Sequence, residues 1–145
     1  MTFELKTLSP DAVSRALAKA ERYRLLNERV EAESICFGED LPSAVTETLQ
    51  VVAQLRDPYE QAYYSGIIWE RRAKAHLHRG SMGLGPQVYA CLREAMAWYE
   101  RAEAIRPPGN DDPLLRWNAC ARSIMRDPRL TPPVGEERGE PLFLE

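Results

Sequence analysis

YEQAYYSGIIWERRAKAHLHRGSMGLGPQVYACLREAMAWYERAEAI, residues 59–105, is the stretch whose periodicity decides how the chain is read. In its first half Ala62, Gly66, Trp69, Ala73 and Leu77 recur every three or four residues, the spacing that stacks side chains on one face of a helix. Val88, Leu92, Ala95, Tyr99 and Ala102 repeat the pattern in the second half. Between them lies a glycine-rich turn, Gly80 to Gly85. Small residues at Ala62, Gly66, Ala73, Ala95 and Ala102 alternate with large ones, which lets two helices approach closely and interdigitate. The stretch therefore predicts a helical hairpin. Its leading helix is apolar on several sides, with Tyr64 and Ile68 opposite Trp69 and with Tyr63 and Ile67 between, so it needs more than one neighbour.

At 145 residues the chain fits one domain with a core of its own. A net charge of -3 and a pI near 5.5 argue against a nucleic-acid binder, which needs an excess of Lys and Arg to neutralise phosphates. Three cysteines, Cys36, Cys91 and Cys120, fall on apolar helix faces and read as reduced core thiols. Neither a signal-peptide run at the start nor a span of about 20 apolar residues is legible, so no membrane is expected and the expected compartment is the cytoplasm.

Outward from the hairpin, the remaining segments also read as helices. Residues 1–8 place Phe3, Leu5 and Leu8 in an extended arm over the first helix pair. Ser9-Pro10, Asp57-Pro58 and Asp112-Pro113 each set a capping side chain before a proline, whose missing N–H costs nothing in a first helical turn. Glu60 completes a capping box with Asp57. A first helix spans about residues 10–27 and a short partner ends at Gly38. A third segment, about 43–56, carries Val45, Leu49, Val52 and Leu55. Pro107 and Pro108 break the hairpin's second helix, and a last helix over about 113–126 buries Leu114, Trp117, Cys120, Ala121 and Ile124. No stretch alternates like a strand, so the fold class is all-α, with about six helices. The domain is expected to cover 1–126, followed by a proline-rich acidic tail, 127–145, that is mostly mobile.

Ala95, Tyr99, Ala102 and Pro107 resemble the second half of a tetratricopeptide repeat. Ala62, Gly66 and Trp69 resemble its first half, and Trp117, Cys120, Ala121 and Ile124 start another. Near the beginning Ala16, Ala20, Tyr23 and Ala32 resemble a degenerate copy. The likeness implies stacked antiparallel helix pairs that bind a protein or peptide on a concave face formed by the first helix of each pair. Between Gly66 and Ala95 the chain has about 17 residues more than a 34-residue repeat allows, so the hairpin should project from the stack. A compact helical bundle is the alternative architecture.

Few residues invite chemistry. His76 and His78 stand two apart, roughly 200° around a helix axis, which is wrong for a shared metal. With Arg71, Arg72, Lys74 and Arg79 they make a basic helix end that opposes the macrodipole. Asn110-Asp111-Asp112 has too few oxygens for calcium and reads as capping by Asp112. The cysteines lack C-x2-C spacing, and no nucleophile elbow or P-loop is present, so neither an enzyme nor a cofactor or metal is expected. Trp69 and Trp117 lie on packing stripes, with Trp98 on a flank. The expected partner-binding residues, offset from the stripes, are Leu17, Glu21, Arg24, Tyr63, Ile67, Arg71, Asn118 and Arg122. Their mixture suits an extended peptide, with arginines for carboxylates. The function read from this surface is a protein- or peptide-binding scaffold, with self-association open; the alternative is a small-ligand protein or enzyme with a pocket between helices.

Overall fold

The computed structural model describes residues 2–11, 41–80 and 83–133. Among these residues the chain is all-helical, with four helices and no strand: α1 Leu41–Val52, α2 Pro58–Arg79, α3 Gly85–Ile105 and α4 Asp112–Arg126. The expected first helix and its short partner lie outside the described residues, and so do Cys36, Leu17, Glu21 and Arg24.

The α2–α3 hairpin is the largest interface, and α4 packs on α3. All five residues of the α3 stripe, Val88, Leu92, Ala95, Tyr99 and Ala102, are buried, and so are the five expected on α4. On α2, Ala62, Gly66 and Ala73 are buried and Trp69 packs against the core, whereas Leu77 is exposed. Tyr64 is exposed too, so the helix buries less of its circumference than its composition predicts.

Glycine decides one close approach. A β-carbon on Gly66 would overlap the ring of Tyr99, so the absence of a side chain there makes room for the largest fully buried residue of the core. Across the seam the neighbour of Gly66 is thus Tyr99.

Local chemistry explains the helix ends. The Asp57 carboxylate accepts from the Tyr59 N–H at 2.9 Å, with proline in the first turn. Gly80, at φ 60, closes α2 in the left-handed conformation. Gln61 extends back to the α1–α2 turn, donating to the carbonyl of Leu55 at 2.5 Å. At α4 the reading is corrected: Asp111 holds the cap position and Asp112 lies in the first turn. Asp111 makes no side-chain cap bond because its carboxylate is engaged by Arg106 and Ser9. Asn110 serves instead, its Oδ1 accepting from the Asp112 N–H at 3.2 Å.

The body also extends past Arg126. Leu130 is buried within the core cluster, and a β-carbon on Gly85 would strike the carbonyl of Arg129. The start of the expected mobile tail therefore closes over the beginning of α3. Residues 134–145, including Leu142 to Leu144, lie outside the described residues.

Candidate functional site

Residues 2–9 have neither helix nor strand, and they are held as an extended chain by α3 and α4. At the centre is Asn118, only 2% exposed. Its Oδ1 accepts from the Lys6 N–H at 2.8 Å, and its Nδ2 donates to the Lys6 carbonyl at 2.9 Å. A planar amide matches both backbone polar groups of one residue, which is how a side chain grips a backbone independently of the side chain it carries.

Two further bonds continue the pattern. The Phe3 N–H approaches Met125 Sδ at 3.4 Å, and the Ser9 N–H donates to Asp111 Oδ2 at 2.6 Å. Arm positions 3, 6 and 9 thus meet positions 125, 118 and 111, so steps of three along the arm match steps of seven along the final helix. The match is geometric: seven helical residues rise about 10.5 Å, and three residues of extended chain cover about 9–10 Å. The arm therefore runs antiparallel to α4 in a register that repeats without strain, with the three-residue period of a polyproline-II chain.

Side chains at positions 3, 6 and 9 follow the same period, joined by Leu8. These four are half-buried while Thr2, Glu4, Leu5 and Thr7 are exposed, so of the expected alternation Phe3, Leu5 and Leu8 it is Leu5 that faces outward. The Phe3 ring meets Trp117 edge-on, with centroids 6.1 Å apart, and the Arg93 guanidinium lies 5.3 Å from its centroid. Lys6 forms an ion pair with Glu103 and sits 5.0 Å from the centre of the Trp117 ring. Trp117 is itself fixed, its Nε1 donating to Glu100 at 2.9 Å. The groove thus offers an aromatic contact, a backbone clamp and an acidic cation socket in order. The arm was expected over the first helix pair; these contacts place it on the last two helices.

Five of the eight expected partner-binding residues are described, and they differ in exposure. Tyr63 is buried, stacked on Tyr59 at 5.8 Å, and its hydroxyl accepts from Arg116 Nε at 3.0 Å. Asn118 is buried beneath the arm. Arg71 and Arg122 are exposed, and Ile67 is partly buried against the core. Leu17, Glu21 and Arg24 lie outside the described residues. Sequence reasoning missed Glu103, Trp117 and Lys6 as contributors because their meeting depends on the arm's path.

A second polar cluster joins all three long helices. Glu70, 5% exposed, accepts from the Tyr99 hydroxyl at 2.6 Å, from Lys74 Nζ at 2.7 Å and from Arg116 Nη1 at 3.1 Å. Burial pushes its carboxyl up, but Arg116 and Lys74 outweigh that and, with the hydrogen bonds from Lys74 and Tyr99, hold it below its ordinary value. Burial raises Tyr99 strongly, reinforced by the Glu70 charge. Burial also pushes the Cys120 thiol up to about 12, and Glu70 adds to it. Glu70 remains a carboxylate with charged partners, an arrangement that ties α2 to α4.

Among the remaining candidates, several side chains have structural partners. Lys74, expected to oppose the helix dipole, pairs with Glu70. Arg72 lies 5.3 Å from the Trp69 ring centre. Burial lowers His76, helped by Arg72 and Arg79. Asn110 Nδ2 donates to the Tyr59 hydroxyl at 2.8 Å. Cys91 and Cys120 are buried free thiols. Among the described residues no group of three or more His, Cys, Asp or Glu stands together to hold a metal, and no helix is long and apolar enough to cross a membrane. Compared with protein-family models, with curated proteins and with solved structures, the chain matches none of them.

Proposed function

We propose that this chain is a protein- or peptide-binding module, a tetratricopeptide-like helix stack acting as a scaffold in the cytoplasm, and that its groove between α3 and α4 receives extended polypeptide. The observation that carries the reading is the paired bond between the Asn118 amide and the backbone of Lys6. Main-chain hydrogen bonds supply affinity in such recognition, and pockets for spaced side chains supply selectivity. Trp117 and Glu103 stand where those pockets are needed. The surface first read from the sequence contributes Arg71 and Arg122 as exposed cations outside this groove.

The test is titration of the full chain with a library of ten-residue peptides, read by fluorescence polarisation, beside Asn118→Ala and Asn118→Asp. Aspartate keeps the acceptor for an N–H and loses the donor to the carbonyl. Peptide binding by the wild type that weakens in both variants, with helical circular dichroism retained, supports the reading. Binding indifferent to residue 118, or no binding at all, contradicts it.

A further inference from the structure

The arm is more than a cover, because its inward residues fit the groove as a ligand fits a site. We propose that the α3–α4 groove docks an extended segment of a partner protein that carries an aromatic residue and, three positions later, a lysine or arginine, and that residues 3–9 occupy it in cis as a displaceable copy of that segment. The inference rests on the peptide-binding reading and adds the partner's chemistry and a means of control.

Three observations select this occupant. The backbone bonds recur every third arm residue, so the groove fixes both the direction and the spacing of whatever lies in it. The socket at position 6 joins the Glu103 carboxylate to the face of Trp117, a pairing that favours a cation and repels an acid. The pocket at position 3 presents the Trp117 ring and the Arg93 guanidinium, partners suited to an aromatic face and edge.

Displacement follows from how the arm is held. Its backbone hydrogen bonds run to side chains of the helices, and Lys6 Nζ adds one side-chain bond to Glu103, leaving the helix ladders independent of it. An outside segment can therefore replace the arm bond for bond without opening the hairpin. A tethered arm competes at high effective concentration, so the apparent affinity for a free segment is reduced by the fraction of molecules whose groove is open.

The experiment uses a fluorescein-labelled peptide, TFELKTLSPD, matching residues 2–11, and the full chain in three forms: wild type, Phe3→Ala/Lys6→Ala, and that double variant with Glu103→Lys. Weakening the arm should raise affinity for the labelled peptide by about tenfold or more, because more grooves stand open. Glu103→Lys should then reverse the gain. A control peptide with serine for the phenylalanine and glutamate for the lysine should bind poorly.

If the double variant binds both peptides alike and no better than the wild type, the groove is a peptide site without this selectivity or self-occupancy, and the proposal is overturned while the broader reading stands. If no peptide binds any form, both fall. If light scattering shows wild-type dimers that the labelled peptide separates into monomers, the occupant is the arm of a second copy and the partner assignment is wrong.

Discussion

The ring of Tyr99 fills the space where a side chain on residue 66 would stand, and its hydroxyl donates to Glu70, one turn further along the same helix, at 2.6 Å. One aromatic residue thus sets both the closeness of the hairpin and the position of its buried charge.

Gly66→Ala tests the first role. A helix interior gains about 1 kcal/mol from alanine in place of glycine, whereas overpacking a filled core costs about 1–3 kcal/mol. The overlap with the Tyr99 ring decides the balance, so urea denaturation should show net destabilisation, and Gly66→Leu should be worse. A variant more stable than the wild type would mean the ring moves aside freely.

Glu70 makes stability depend on acid. Its carboxyl lies below the ordinary 4.5 in the folded chain, because Arg116, Lys74 and their companions overcome burial. A group that binds protons less readily when folded adds stability above its unfolded pKa, and that share is lost as pH falls through the folded value. Wild-type urea midpoints should therefore hold from pH 7 to about 5 and fall below 4.5. Glu70→Gln should cost about 1–3 kcal/mol at pH 7, since it leaves the half-buried Arg116 without its anion, and should flatten the acid limb. An equally steep limb in that variant would assign the effect to other carboxyls.

Cys120, pushed up to about 12 by burial and by Glu70, should be inert at pH 8, and burial raises Cys91 in the same direction. In a Cys36→Ser background, Ellman's reagent should label neither thiol until the chain unfolds. Rapid labelling of one equivalent in the native state would contradict the packing of α3 or α4.

Leu130 should matter although it lies beyond the last helix. Leu130→Ala should destabilise by about 2–4 kcal/mol, as for other buried leucines, measurable as a lowered melting temperature. An unchanged melting temperature would return residues 127–133 to the role of a solvated tail.

How much of this was legible differs from residue to residue. The stripes of α3 and α4 were, because the helical period is a local property and Val88 to Ala102 and Leu114 to Ile124 repeat it cleanly. Asp57 and Pro58 marked their helix start for the same reason. Glu70 and Arg116 are 46 positions apart, and nothing in either neighbourhood pairs them. Asn118 was picked out as a binding residue, but its partner was not, since the match between arm and helix appears only once both run along one groove. Tyr63 was assigned to a surface because its offset from the stripe hid three aromatic and cationic neighbours that draw it inward.

The most direct measurement of the groove is residue-resolved amide hydrogen exchange on the full chain. Lys6 and Ser9, whose N–H groups are held by Asn118 and Asp111, should be protected, Phe3 weakly so through Met125 sulfur, and Glu4, Leu5 and Thr7 should exchange freely. Excess TFELKTLSPD peptide should abolish the protection at Lys6 and Ser9 while the amides of α3 and α4 stay protected. Uniformly fast exchange from residue 2 to 9, or protection that the peptide leaves untouched, would contradict a displaceable chain held in this register.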